Sequence, residues 1–190
     1  VDFTHVALHW HEEMEIIAVK KGNGRITVDT VSYPVSEGDI LAVFPGQLHA
    51  ISCGSGERME YENIIFRISM LMGDNGDGCT VHFLSPLQEG QAKKPVLIQK
   101  GQTDYEVFGN VIRELDKFSQ QQGNGYQLAV KGQLFLFLYY AYGRGILFAE
   151  KKPGHAREKI KGILDYIREH FGEEITIKQA AELCFYSESH

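Results

Sequence analysis

The sequence predicts a mainly β fold followed by C-terminal α-helices. Up to about residue 100, short apolar runs alternate with Gly, Pro and Asn, which is typical of strands joined by turns. From about residue 103 the apolar residues recur instead at helical spacing. A charged Glu150–Gly154 segment that ends in Pro and Gly then precedes a further helical stretch. We therefore expect a β domain, a helical pair and a separate C-terminal unit.

Within the β-rich part, individual strands and turns can be assigned. Arg25–Asp29 and Val31–Val35 predict a hairpin that turns near Asp29, and Tyr61–Ile68 predicts another strand. The stretch Ser69–Pro95 is expected to be a long irregular connection. Its Gly73–Gly78 run carries acidic residues at offsets that do not fit an EF-hand loop, so a surface turn is favoured over a calcium site.

Four polar side chains in the β-rich part form the main candidate site. His9 and His11 lie two residues apart on a predicted strand and point to the same side, while Trp10 points to the other. Neighbouring strands can add Glu15 and His49. Three imidazoles and one carboxylate that converge can coordinate a divalent metal or hydrogen-bond a polar ligand. Both alternatives stay open at this point.

The spacing of these residues resembles the motifs of the cupin superfamily. The pattern is H-x-H-x3-E from His9, then Gly22 after six intervening residues, and then G-x6-P-G-x2-H from Gly38 to His49. Phe44 departs from the family pattern, in which a proline is usual, and Cys53 stands where asparagine is frequent. The resemblance implies a double-stranded β-helix, or jelly-roll, barrel over residues 1–100, whose interior carries the site. It also implies Zn, Ni, Fe or Mn as the metal.

For five other residues of the β-rich part, the sequence supports only less specific predictions. Glu12 and Glu13 are expected on an adjoining turn in contact with solvent. Tyr33, Phe66 and Arg67 are candidates to line the barrel, although strand alternation alone does not choose their faces.

The next zone, residues 101–149, predicts a pair of helices. Thr103 and Glu106 have the spacing of a capping box, with an apolar stripe behind them. A second helix is expected to end near Tyr142, before Gly143. Its stretch Leu134–Tyr140 is apolar on every face, so it needs cover on both sides. One interpretation places it between the barrel and the first helix; the other, which we favour slightly, places one face against a second subunit.

After a linker at residues 150–155, residues 156–190 predict short capped helices. One amphipathic helix ends at Gly172, and Thr176–Gln179 has the spacing of a second capping box. Asp165–Phe171, with the Ile-Thr-Ile, Ala-Ala-Glu-Leu and Tyr-Ser patterns that follow, resembles the start of the DNA-binding domain of AraC/XylS-type transcriptional regulators. The resemblance implies a truncated helix-turn-helix domain, whose recognition helix would begin with DNA-binding residues Ser187, Ser189 and His190.

Composition narrows the classes of function. The 190 residues carry 19 Lys and Arg against 25 Asp and Glu, and the excess of negative charge lies in residues 1–150. This acidic part is poorly suited to bind phosphates, so any DNA contact is expected in the C-terminal part. Cys53, Cys79 and Cys184 are odd in number and widely spaced, which predicts free thiols in the cytoplasm. No membrane-spanning stretch and no signal peptide are expected.

These observations predict a ligand-responsive transcriptional regulator rather than an enzyme. A small polar effector, such as a sugar, would enter the barrel and control DNA binding by the C-terminal part of a homodimer. The alternative is a metal-dependent cupin enzyme, a dioxygenase or isomerase, that holds its metal with His9, His11, Glu15 and His49.

Overall fold

The computed structural model describes residues 5–54, 58–74, 76–146, 148, 155–173, 175, 176 and 179, with side chains from residue 160 onward in the last helix. The described chain begins with strands and ends with helices. The strands are β1 His5–His9, β2 Met14–Val28, β3 Val31–Ser36, β4 Ile40–Val43, β5 His49–Ser52, β6 Met59–Phe66 and β7 Val96–Ile98. The α-helices are α1 Ser85–Gln88, α2 Tyr105–Gln121, α3 Tyr126–Gly143 and α4 His155–Glu169.

The strands form two antiparallel sheets that share β2. The C-terminal half of β2 pairs with β3 and β5, and β5 pairs with β1. The N-terminal half of β2 pairs with β4 and β6, and β4 pairs with β7. The strand bends between the halves, where its register with β6 shifts between Val19 and Lys21 and Gly22 adopts a φ of 76°. This arrangement confirms the predicted barrel-like fold.

Alternation along β2 separates two cores. Met14 and Ile16 face outward toward the helices, whereas Ile17 and Val19 face the barrel interior. Because both faces are covered, these residues are all buried. The interior core is completed by apolar residues from the C-terminal half of β2 and from the other strands: Ile26, Val28, Val35, Leu41, Val43, Ile51 and Met59.

The helical pair packs on the outer face of the barrel. Phe108 of α2 and Phe137 of α3 are fully buried and meet edge to face, with ring centroids 5.3 Å apart. The opposite side of α3 is exposed at Leu128, Phe135, Leu136 and Tyr139. The barrel and α2 therefore cover one face of this all-apolar helix and leave another in contact with solvent.

Several local predictions are confirmed. The hairpin of β2 and β3 turns at Asp29, whose φ is 52°. Thr176 and Gln179 form the predicted capping box: the Thr176 N–H donates to Gln179 Oε1 at 2.9 Å, and the Gln179 N–H donates to Thr176 Oγ1 at 3.3 Å. Asp77 accepts from the Thr80 backbone N–H at 2.9 Å, so it closes a local turn, as favoured over a calcium loop.

Three local predictions are wrong. The helix predicted from Thr103 begins at Tyr105 after Asp104, with no side-chain cap, so there is no capping box. The connection Ser69–Pro95 is not irregular throughout, because it contains a π-helix at Thr80–Leu84 that continues into α1. The strand predicted to end at Ile68 ends at Phe66, since Ile68 starts a 3-10 turn.

No helix among the described residues is long and apolar enough to cross a membrane. Cys53 and Cys79 are free thiols, as expected. Cys184 and most of the predicted start of the helix-turn-helix lie outside the described residues.

Candidate functional site

The structure brings the four polar side chains predicted from the sequence together at one end of the barrel. His9 ends β1 and lies opposite His49, the first residue of β5. His11 follows in the loop before β2, and Glu15 is the second residue of β2. One nitrogen or oxygen atom from each of the four lies within 4.8 Å of the others. We call this group the His/Glu cluster.

Backbone carbonyls orient all three imidazoles in the same way. The Nδ1 atoms of His9, His11 and His49 lie 2.9, 3.0 and 2.9 Å from the carbonyl oxygens of residues 7, 13 and 47. A carbonyl oxygen only accepts hydrogen bonds, so each Nδ1 carries a hydrogen and donates it. In the neutral ring the lone pair is then on Nε2, which is the arrangement that metal-binding histidines commonly have.

Glu15 lies at the centre of the cluster. Its Oε2 atom is 3.0 Å from Nε2 of His11 and 3.0 Å from Nε2 of His49. Glu15 and His49 are buried, whereas His11 is half-buried. Burial acts to raise the pKa of Glu15, but the hydrogen bonds from the two histidines and their charges outweigh it and lower the pKa to about 2. The carboxylate is therefore ionised at neutral pH.

The two outer histidines have opposite pKa shifts. The hydrogen bond to Glu15 raises the pKa of His11 in spite of partial burial. Burial, reinforced by the neighbouring His49, lowers the pKa of His9. A raised and a lowered pKa thus occur in two imidazoles whose ring centroids lie 5.7 Å apart.

The cluster fits a divalent metal on the chemistry of its donors. The Nε2 atoms of His11 and His49 lie beside the same Glu15 oxygen, and the two ring centroids are 5.0 Å apart. One ligand atom from each of the four side chains lies within 4.8 Å of the others, and imidazole nitrogen and carboxylate oxygen are ligands that divalent transition metals take in proteins. His9, His11, His49 and Glu15 would therefore hold such an ion.

The remaining candidates for the barrel lining divide between its two faces. Tyr33 and Tyr61 pack against the interior core, and burial together with the negative charge of Glu15 raises the pKa of Tyr61. Phe66 belongs to the outer core under the helices, so the prediction that it could line the barrel is wrong. Arg67 is also outside: it is exposed and pairs with Glu13, with Nε 2.9 Å from Oε1. Glu13 is consequently ion-paired rather than simply solvated.

Sequence reasoning missed Gln47. Its side chain is 1% exposed, its Oε1 accepts from the Phe44 N–H at 2.8 Å, and its carbonyl orients His49. Its Nε2 is buried with no hydrogen-bond partner among the described residues. The only sequence signal was its place between Gly46 and His49.

The predicted DNA-binding residues Ser187, Ser189 and His190 lie outside the described residues. They remain a prediction from the sequence.

The chain is similar to a known protein family and to named transcriptional regulators. The family model described as the AraC-like ligand binding domain matches residues 2–138. The uncharacterized HTH-type transcriptional regulator YdeC of Bacillus subtilis is 20% identical over 94% of this chain and 60% of its own length. The uncharacterized HTH-type transcriptional regulator YdiP of Escherichia coli is 26% identical over 92% of this chain and 55% of its own length.

Among solved structures, ToxT K231A from Vibrio cholerae is 13% identical with a TM-score of 0.46, over 98% of this chain and 68% of that one. A cupin protein from Bacteroides fragilis is 26% identical with a TM-score of 0.35, over 39% of this chain and 64% of that one. The chain spans 55–60% of the length of the two curated regulators that it matches. Since the family model covers well over half of the chain, the chain belongs to the AraC-like ligand binding domain family.

Proposed function

We propose that this chain is the sensor part of a transcriptional regulator, and that its His/Glu cluster binds the effector. The observation that carries the proposal is the meeting of three imidazoles and one buried carboxylate, each with a ligand atom within 4.8 Å of the others, inside a ligand-binding domain. Buried polar groups of this kind are costly to keep unless they bind something or hold each other in place. Polar effectors, such as a sugar or sugar derivative, or a metal ion, match these donors and acceptors.

A divalent metal, such as Zn, Ni, Fe or Mn, is the occupant that the ligand set favours. His9, His11, His49 and Glu15 would hold it, and it would supply a Lewis-acidic position for oxygen atoms of a polar effector. The carbonyls of residues 7, 13 and 47 would keep the imidazoles oriented. Among the described residues, this is the group of His, Cys, Asp and Glu side chains arranged to hold an ion.

Elemental analysis of the tag-free chain tests the site. We expect about one metal per chain in the parent, none in His49→Ala and less in His9→Ala, which is the milder change because His9 is only half-buried. His82→Ala is the matched control, since His82 is exposed and lies outside the cluster. Full metal content in His49→Ala would refute the metal site.

Absence of metal in the parent chain would leave the organic effector as the occupant. A thermal-shift screen of polar ligands, sugars included, then decides, because a ligand that binds only the folded protein raises Tm. The stabilising ligand should lose its effect in Glu15→Gln and keep it in His82→Ala. No metal and no stabilising ligand together would refute the effector site.

The regulatory part of the proposal concerns the whole protein. The relatives are named as HTH-type regulators, and we propose that residues 156–190 begin the corresponding DNA-binding domain. In the full-length regulator, effector should change operator affinity, and Glu15→Gln should abolish the change while keeping DNA binding itself. Operator affinity that responds equally in parent and variant would refute the role of the cluster.

We further propose that the regulator is a homodimer that pairs through α3. Leu128 and Tyr139 are 78% and 70% exposed, and Phe135 lines an apolar cavity of about 210 Å³ between α3 and the π-helix. Exposed apolar surface of this extent on a helix commonly marks an interface. Light scattering should give a dimer for the parent and a monomer for Phe135→Glu, with Lys131→Glu on the same helix as control. A monomeric parent at high micromolar concentration would refute the interface.

A metal-dependent enzyme is the second candidate, and it is favoured only by the ligand set itself. The relatives are named as regulators, which argues for sensing rather than turnover. Oxygenase or isomerase turnover of a small polar substrate by the metal-loaded chain, abolished by Glu15→Ala, would establish the enzyme.

A further inference from the structure

Lys161 of α4 contacts two of the loops that hold the His/Glu cluster. Lys161 Nζ lies 4.2 Å from the centroid of the Trp10 ring, which is the geometry of a cation–π contact. The same atom lies so close to Gly46 that a methyl group at this position would come within 2.8 Å of it. Trp10 belongs to the loop between β1 and β2, and Gly46 to the loop between β4 and β5. We call Trp10 and Gly46 the mouth surface.

Each residue of the mouth surface is directly connected to a histidine of the cluster. Trp10 lies between His9 and His11 in the chain. The Gly46 N–H donates to the His11 carbonyl at 2.8 Å, so the two loops are joined behind the site. The residue after Gly46 is Gln47, whose carbonyl accepts from His49 Nδ1 at 2.9 Å. A ligand that moves His11 or His49 must therefore strain or shift the loops on which Lys161 rests.

The contact is narrow. Beside it lies a cavity of about 400 Å³, which Lys161 and Trp10 line together with Glu12, Arg67 and Glu89. In the described part of the chain, α4 shares no extensive contact with any other helix or strand, so few packed contacts need to break there. Segments of this kind open at low free-energy cost.

We propose that the mouth surface is the docking surface for α4, and that Lys161 is the positioning residue through which occupancy of the His/Glu cluster changes the placement of the C-terminal segment. This inference rests on the proposed sensor function and names the residues of its regulation. Binding at the cluster rearranges the two loops, the ammonium loses its position over the indole, and α4 is released or reoriented. By reciprocity, undocking α4 changes the affinity of the cluster for its ligand.

The docking can be tested without any ligand. Trp10 is the single tryptophan of the chain, so the fluorescence of the protein reports on the surroundings of this residue, Lys161 included. Lys161→Met removes the ammonium and keeps most of the stem, and Lys131→Met, at an exposed position of α3, is the matched control. We expect changed Trp10 emission and about 2- to 5-fold faster amide hydrogen exchange in α4 for Lys161→Met only, from the strength of partly exposed cation–π contacts. Equal emission and exchange in both variants would overturn the docking surface.

Zinc titration then tests the coupling. In the parent chain, zinc bound at the cluster should change both Trp10 emission and exchange in α4; in Lys161→Met it should bind with altered affinity and leave α4 exchange unchanged. If the parent chain binds zinc stoichiometrically but neither Trp10 emission nor α4 exchange changes, the coupling is overturned, whereas the proposed metal site stands. If zinc does not bind, the metal site fails, and Glu15→Gln serves as the perturbation of the cluster. Unchanged Trp10 emission and α4 exchange in that variant would also overturn the coupling.

Discussion

Replacing Glu15 by glutamine should remove most of a pH-dependent contribution to the stability of the metal-free chain. Glu15 is 3% exposed and accepts from two histidines. Its pKa is about 2 in the folded protein, compared with an ordinary value of 4.5. Because the folded-state value is the lower one, the carboxylate stabilises the fold fully above about pH 4.5. This stabilisation is lost as the pH falls through 2.

The magnitude follows from the difference between the two pKa values. A difference of about 2.5 pH units corresponds to about 3 kcal/mol of unfolding free energy at pH 6, and linkage reduces it to about 1.5 kcal/mol at pH 3. His11 has the opposite sign: its raised pKa gives stability that is present below about pH 6.5 and lost as the pH rises through its folded-state value. The pair is therefore strongest between about pH 4.5 and 6.5.

Urea unfolding followed by circular dichroism, at pH 3, 4, 5 and 6 with a chelator present, measures the effect. The free-energy difference between the parent and Glu15→Gln should shrink by about half or more from pH 6 to pH 3. Glu37→Gln is the control, because Glu37 is an exposed glutamate in the turn between β3 and β4. A difference that is the same at all four pH values would show that the two histidines do not hold Glu15 ionised, which would refute the reasoning.

Three further substitutions test the fold around the site, each by the free energy of unfolding in urea. Gly22→Ala places a Cβ 1.9 Å from the Arg58 carbonyl at a φ of 76° and should cost at least about 2 kcal/mol. The control Gly132→Ala has open space on a helix and should stabilise the protein by about 0.5–1 kcal/mol. Equal effects of the two substitutions would contradict the bend of β2 at Gly22. Phe108→Ala should cost about 3–5 kcal/mol by leaving a cavity against Phe137, and a loss below about 1 kcal/mol would show that α2 is not docked there. Lys20→Met leaves the carboxylates of Glu62 and Asp116 facing each other without a cation, so it should cost about 1 kcal/mol of unfolding free energy at pH 7. The cost should be smaller at pH 4, because burial and Asp116 raise the pKa of Glu62 and favour its protonation. A cost independent of pH would refute this carboxylate pair.

The proximity of the cluster was predictable because strand geometry is regular. Alternation along β2 puts Glu15 on the interior face with Ile17. His9 and His11 were predicted to share the face of one strand; they do lie close together, but that strand prediction is wrong for His11, because β1 ends at His9 and His11 lies in the loop that follows. The hairpin at Asp29 was equally predictable from the sequence, since turn residues stand between two runs of β-branched residues. What the four residues bind remains a prediction, supported by the orientation of their donors.

Features that depend on tertiary contacts were not predictable in the same way. Arg67 follows directly after β6, and its side chain pairs with Glu13, which is 54 residues away in the sequence. The stretch Thr80–Leu84 contains β-branched and aromatic residues, yet it forms a π-helix because Leu84 and the residues after it pack into the outer core. At Thr103 the capping pattern was present, but the chain enters the helix two residues later, after Asp104. Local propensity is overridden in each case.

The shared strand β2 links the two sheets of the barrel mechanically. One continuous backbone from Met14 to Val28 is hydrogen-bonded into both sheets. The two sheets therefore cannot separate without breaking the interstrand hydrogen bonds of that strand. A force applied at either end of β2 is shared among four neighbouring strands. Its amides should accordingly be the last in the chain to exchange with solvent, and its rupture should coincide with global unfolding. Since Glu15 lies on β2, the centre of the site belongs to the most persistent part of the molecule, while the three histidines come from β1, β5 and the loop before β2.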